Sequence, residues 1–282
     1  MNAFRDAPGA QPFFLKSGMG QRFCLFHPPA GNCRGTVLYV HPFAEELNRS
    51  RRMAALQARA LATLGYGVLQ IDLYGCGDSS GDFGDARWQI WKDDLDAGAA
   101  WLRQRLDGPM ILWGLRLGAL LALDHARSAI HRPAAMLLWQ PVLNGQTYLT
   151  QFLRLRATNA LLTDAVASSG TAELRAALDA GETIEIAGYD LAPELARALD
   201  GLDPLDAMTP DCPVHWFEAL GSSTQSLSAG AARVSADWQA RGIELQVHTL
   251  QCPPFWITAE ITECTAWIEA NSAAVREGIY AI

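Results

Sequence analysis

Short, strongly apolar runs alternate along the chain with longer stretches whose apolar residues recur every three or four positions. The short runs read as strands and the longer ones as amphipathic helices. Gln21–His27 reads as a strand closed by Pro28-Pro29-Ala30-Gly31, Thr36–Val40 as a second strand, and Arg51–Leu64 as a helix ended by Gly65. Gly67–Ile71 is the next strand and runs into Asp72-Leu73-Tyr74-Gly75. Trp88–Leu106 reads as a helix, Met110–Trp113 as a strand, and a further helix opens near Gly118 and continues through His125. Ala135–Gln140 is a strand stopped by Pro141. From Gly145 to about Asp206 the pattern is helical, with no strand of sheet length. A strand at Val214–Ala219, a Gly/Ser-rich loop at Gly221–Ser226, a helix at Ser228–Gln239, a strand at Gly242–Leu250 and a closing helix at Glu260–Asn271 follow. This alternation predicts an α/β fold, with a mainly parallel central sheet flanked by helices. Residues 1–282 then form one domain, with approximately 145–206 as an inserted helical cap.

Composition narrows the classes. Of 282 residues, 50% are hydrophobic and 18% charged, a globular balance. A net charge of −8 gives no electrostatic footprint for nucleic acid. Six cysteines, Cys24, Cys33, Cys76, Cys212, Cys252 and Cys264, form no CxxC pair and no Cys/His cluster of zinc spacing. The expectation is therefore no metal, no cofactor and free thiols in a reducing, cytoplasmic setting. No apolar stretch follows a basic start, and no run of about 18 apolar residues predicts a membrane span.

Three segments carry candidate chemistry: Tyr39-Val40-His41-Pro42-Phe43, Asp72-Leu73-Tyr74-Gly75-Cys76-Gly77-Asp78-Ser79-Ser80-Gly81, and Trp113-Gly114-Leu115-Arg116-Leu117-Gly118-Ala119. Together with the element order they resemble the α/β-hydrolase superfamily: the loop after its third strand, the glycine-rich turn after its fourth, and its nucleophile elbow. A narrower resemblance rests on His41-Pro42-Phe43-Ala44-Glu45-Glu46-Leu47-Asn48-Arg49-Ser50-Arg51-Arg52-Met53, the Gly114–Ala119 elbow and Pro253-Pro254-Phe255-Trp256. These segments are similar to the exosortase A system-associated hydrolase 2 family. That resemblance implies a place beside an exosortase and exopolysaccharide system.

Serine hydrolysis on this fold needs a nucleophile on the elbow, a histidine after the last strand, an acid after the sixth or seventh strand and two backbone N–H donors. The elbow holds Arg116, a permanently protonated group with no lone pair for attack. The last histidine, His248, falls within the final predicted strand, and the loop after it, Gln251-Cys252-Pro253-Pro254-Phe255-Trp256, contains none. Glu218 is a possible acid, with a solvated strand-end carboxylate as the competing reading, and Asn144 follows the sixth strand. The backbone N–H groups of Phe43 and Leu117 are the oxyanion-type donors, although Pro42 stands where glycine is common. Gly77-Asp78-Ser79-Ser80-Gly81 matches G-x-S-x-G literally, but Asp82-Phe83-Gly84-Asp85 breaks the helix that an elbow requires. Ser79 is therefore read as part of a non-catalytic turn.

A cation at a helix N-terminus opposes the helix dipole and calls for a carboxylate. Glu45 and Glu46 are the first candidates for that partner and Glu218 the third. Arg116 reads either as an ion pair that plugs a dead site or as a clamp for a carboxylate or phosphate. Pocket candidates are His41, Glu45, Glu46, Asn48, Arg116 and Trp256, with Trp216 and Phe255 as further apolar lining. Arg49, Arg51 and Arg52 read as a solvated face, and Trp88, Trp91 and Trp101 as packing. Two functions remain open. One is a protein without a working triad that binds a small anionic or acyl ligand or a partner protein. The other is an unorthodox hydrolase or acyltransferase acting on an ester or acyl substrate.

Overall fold

A computed structural model describes residues 9–162, 170–221 and 226–277. In chain order the elements are β1 (Gln11–Lys16), β2 (Gln21–His27), β3 (Gly35–Val40), α1 (Ala44–Thr63), β4 (Tyr66–Ile71), α2 (Trp88–Arg103), β5 (Met110–Leu115), α3 (Leu117–Ser128) and β6 (Ala135–Trp139). There follow α4 (Gly145–Leu162), α5 (Thr171–Asp179), β7 (Ile184–Ile186), β8 (Tyr189–Leu191), α6 (Pro193–Asp200), β9 (Val214–Leu220), α7 (Ala229–Ala240), β10 (Leu245–Gln251) and α8 (Thr265–Glu277). Most of the predicted loop Gly221–Ser226 lies outside the described residues.

Eight strands form one sheet in the order β1-β2-β4-β3-β5-β6-β9-β10. β2 pairs antiparallel with both β1 and β4, and every pair from β4 to β10 is parallel. The central strands β3, β5 and β6 are buried at every position, as expected when helices cover both faces. One apolar cluster joins α1 and α8 to one face, and a second joins α2, α3 and α7 to the other. The chain leaves β3 for β4 on one side and returns to β5 on the other, so α1 and α3 start on opposite faces beside adjacent strands. Such a reversal leaves a crevice at the carboxyl ends of the two strands. That crevice receives the first turns of α1 and α3.

The insertion between β6 and β9 is not wholly helical. It contains α4, α5 and α6 and also the short antiparallel hairpin β7–β8. Three-residue strands around Ala187-Gly188 carry too few alternating positions to register as a strand pattern. β1 was not expected either, and its Pro12 fits the sheet edge that it occupies. α1 begins at Ala44, seven residues before its predicted start, because its first turns are mostly charged and bury only Ala44, Leu47 and Ser50. α8 starts at Thr265, because residues 260–264 follow an irregular path before it.

Close approach at the elbow requires two glycines. A Cβ on Gly114 would sit 2.4 Å from Ala119 Cα, and one on Gly118 would sit 2.2 Å from the Val40 carbonyl oxygen. These obstacles are backbone and have no rotamer by which to move. Gly118→Ala is expected to lower unfolding free energy by about 2–3 kcal/mol or more in urea titrations. An unchanged midpoint would contradict this packing.

His248 lies inside β10, where its ring stacks on Phe217 and its Nε2 lies 3.1 Å from His215 Nδ1. Burial, and secondarily His248, lower the His215 pKa to about 4, and burial lowers that of His248. Both are neutral when folded but protonate near pH 6.5 when unfolded. The stabilisation from His215 is present above about pH 6.5 and is lost as pH falls toward about 4, and that from His248 is lost in the same direction. The double variant His215→Gln/His248→Gln should therefore lose less stability than the parent between about pH 7 and 4.5. Equal losses in denaturant titrations would contradict this assignment.

Candidate functional site

β5 passes into α3 through Arg116, whose backbone sits at φ 55° and ψ −121°. This region is sparsely populated for a residue bearing a Cβ and costs about 1–3 kcal/mol. The surroundings hold it there. Arg116 N–H donates to the Trp139 carbonyl at 2.9 Å, and the Arg116 carbonyl accepts from Ala119 N–H at 3.0 Å and Val142 N–H at 3.3 Å. The result is the sharp strand–turn–helix geometry of a nucleophile elbow, with an arginine at its apex.

The guanidinium is mostly buried. Its Nε donates to Glu46 Oε1 at 3.1 Å and its Nη1 to the Gln140 carbonyl at 3.3 Å. Tyr148 O–H donates to the other Glu46 oxygen at 2.9 Å. Arg116 Cζ lies 5.6 Å from the Trp256 ring centre and 5.8 Å from that of Tyr148, within cation–π range. Burial, then the Glu46 charge, push the Tyr148 hydroxyl well above its ordinary range, so it remains a donor. Among the described residues, Arg116 Nη2 meets no acceptor. Of the three carboxylates expected to compensate the cation, Glu46 does so directly. It sits in the first turn of α1, where its charge also favours that helix's dipole.

Above this cluster lies a cavity of about 500 Å³. Its apolar walls include Phe43, Phe152, Leu155, Trp256 and Ile257, and its charged base is Arg116 and Glu46. The insertion supplies Tyr148, Phe152 and Leu155 from α4 and Ala187 and Tyr189 from the hairpin. Among the described residues, four without glycine's freedom have positive φ: Ala44, Arg116, Gln140 and Ala187. Three of them line this cavity and the fourth, Gln140, gives its carbonyl to Arg116. Backbone strain thus converges here, as it does at functional sites.

The expected pocket residues divide. Glu45, Glu46, Arg116 and Trp256 line the cavity. Asn48 stands one contact away and donates to Tyr189 Oη at 3.0 Å, while Tyr189 O–H in turn donates to Glu45 at 3.0 Å. His41 is not in the cavity wall. Its buried ring accepts the Leu73 N–H at Nε2, 3.0 Å away, and turns Nδ1 to the Pro42 carbonyl. The proton therefore sits on Nδ1, and burial holds the pKa below its ordinary value. His41 braces the loop between β3 and α1. Phe43 caps α1 and Leu117 opens α3, so neither N–H has an intrahelical acceptor, and no other acceptor for them occurs among the described residues.

Glu218 is buried in β9, not solvated. Trp216 Nε1 donates to it at 2.7 Å and Gln140 Nε2 donates to its other oxygen. Burial raises its pKa against those two hydrogen bonds and the charge of Arg116. Asn144 caps α4 by accepting the Thr147 N–H at 2.8 Å. Ser79 fastens the glycine-rich turn, donating to the Asp72 carbonyl and accepting the Phe23 N–H at 2.9 Å. Trp216 and Phe255 pack in the core instead of lining the cavity. Arg49, Arg51 and Arg52 each hold a carboxylate, on Glu45, Asp72 and Glu263 respectively, so they are not merely solvated. Cys252 and Cys264 are joined as a disulfide, contrary to the expectation of free thiols throughout. The loop after β10 folds back and brings their Cα atoms to 6.2 Å. Tyr148 and Gln140 were missed, because nothing in their local pattern separates them from packing residues.

The family model described as serine aminopeptidase, S33, matches residues 31–236. No curated protein matches the chain by sequence. Among solved structures, the chain is similar to Est1E from Butyrivibrio proteoclasticus bound to ferulic acid, with 16% identity, TM-score 0.65, and coverage of 94% of this chain and 96% of that one. It is also similar to mouse alpha/beta hydrolase domain-containing protein 10, with 15% identity, TM-score 0.63, and coverage of 95% and 97%. A thermostable carboxyl esterase from Bacillus coagulans in complex with glycerol matches with 14% identity, TM-score 0.63, and coverage of 96% and 99%. With the family model spanning most of the chain and the elbow in place at Arg116, the chain belongs to the serine aminopeptidase S33 family of α/β-hydrolase-fold proteins.

Proposed function

We propose that this protein uses the elbow cavity to bind a small anionic or acyl ligand and does not hydrolyse it. The observation that carries the reading is Arg116 at the strained elbow position, paired with Glu46 at the base of a cavity of about 500 Å³. That volume suits a small-molecule ligand. A plugged elbow would have left no such space, so the ion pair acts as part of a binding surface. Attack on an acyl carbon needs an electron pair and a base beside it. Arg116 provides neither, and His248 is occupied in the β9–β10 layer with His215 and Phe217. The first-turn N–H groups of Phe43 and Leu117 are the oxyanion-type donors of this reading. The narrower resemblance supports a setting in an exosortase and exopolysaccharide system, with a partner protein as the alternative occupant.

A fluorophosphonate probe and short nitrophenyl esters test the reading. The parent should show no covalent labelling and no hydrolysis above buffer. Arg116→Ser should remain equally inert, since a hydroxyl alone lacks a base. Labelling of any serine in the parent, or turnover abolished by one cavity substitution, would replace this reading with an unorthodox hydrolase or acyltransferase.

A further inference from the structure

Two ion pairs line the cavity at different depths: Arg116 and Glu46 have side chains only 18% and 15% exposed, whereas Arg49 and Glu45 are 35% and 49% exposed. The apolar lining runs from the buried Phe43, Phe152 and Trp256 out to Leu155 and Ile257, 48% and 56% exposed. Large exposed apolar side chains are few among the described residues, and two of them line this one cavity.

The hydrogen bonds at the base have a direction as well. Both Glu46 oxygens are engaged, one by Arg116 Nε and the other by Tyr148 O–H. The Gln140 carbonyl is engaged by Arg116 Nη1. What remains is donor capacity. Arg116 Nη2 meets no acceptor among the described residues, and the same holds for the N–H groups of Phe43, in the cavity lining, and Leu117, next to Arg116 in the chain. A ligand head that brings donors would face other donors and a guanidinium. A head that brings only acceptors completes the set.

Building on the non-hydrolytic reading above, we propose that the cavity binds a free amphipathic monocarboxylate. Its carboxylate meets Arg116 Nη2, and its hydrocarbon tail runs outward between Phe152, Leu155, Trp256 and Ile257. Glu46 has a defined part in this arrangement. It compensates Arg116 when the cavity is empty and fixes the guanidinium by Nε, leaving an N–H edge for the ligand. The bound form carries one more negative charge than the Arg116–Glu46 pair alone. The head is therefore restricted to a single carboxylate, because a dianionic phosphate would face Glu46 with a greater excess of charge.

Isothermal titration of the full chain with octanoate, octylamine, octan-1-ol, octyl phosphate and acetate tests this, with the change in tryptophan fluorescence that is lost in Trp256→Phe as a second readout. Octanoate is expected to bind at least about tenfold more tightly than octylamine or octan-1-ol, the difference made by one charge-assisted contact. Octyl phosphate should bind more weakly than octanoate. Affinity should rise by about fourfold for each buried methylene between acetate and octanoate. Arg116→Met/Glu46→Gln should abolish the preference for octanoate over octan-1-ol while keeping octan-1-ol binding. Should that variant not fold, Leu155→Ser, at a half-exposed position, should weaken octanoate but not acetate. Equal binding of octanoate and octylamine, tighter binding of octyl phosphate, or no gain with chain length would each overturn the proposal. Hydrolysis of nitrophenyl octanoate would instead overturn the non-hydrolytic reading, and the binding series would still decide the head-group preference.

Discussion

The ion pair between Arg116 and Glu46 is the constraint on which the site depends. A cation at the start of α3 opposes the dipole of that helix, and a strained backbone holds it there. Glu46, at the start of α1, compensates the charge, while the backbone hydrogen bonds of Arg116 with Trp139, Ala119 and Val142 hold the strained turn. The sheet order puts the two helix starts beside each other, because the chain reverses direction between β3 and β5. The superfamily's crevice is thus kept, while the group at its centre is a fixed charge with no nucleophilic electron pair.

The same pair explains why the cavity persists. Burial of two unpartnered charges would be prohibitive, but a paired and hydrogen-bonded couple is tolerated at the bottom of a crevice. Tyr148 completes the shell from α4, so the segment between β6 and β9 meets the first turn of α1 at Glu46. The loop after β10 supplies Trp256, whose aromatic face sits against the guanidinium.

Much of the frame was legible because central parallel strands are buried on both faces and read as unbroken apolar runs. β5 and β6 show this directly, as does β3 from Val37 to Val40. The Gly114-Leu115-Arg116-Leu117-Gly118 segment was legible for a different reason: only glycine fits where a Cβ would meet backbone at 2.2 to 2.4 Å. The charged turn of α1 hid its true start, since helix periodicity needs apolar residues to be visible. His41 looked like a pocket group, yet its short link to Pro42 and the Leu73 N–H draw it beneath the loop. Glu218 read either as an acid of the site or as a solvated strand-end carboxylate, whereas contacts from Trp216 on β9 itself and Gln140 after β6 enclose it. Such enclosure is set by tertiary neighbours and leaves no local pattern. The choice of Glu46 over Glu45 follows from helix phase, which a start misplaced by seven residues could not give.

The most direct measurement is a double-mutant cycle on Arg116→Met and Glu46→Gln, read by urea unfolding of the two single variants, the double variant and the parent. A load-carrying ion pair in this setting predicts a coupling energy of about 1–3 kcal/mol, with the double variant more stable than the sum of the single losses implies. Strict additivity, with each substitution costing the same in either background, would contradict the account.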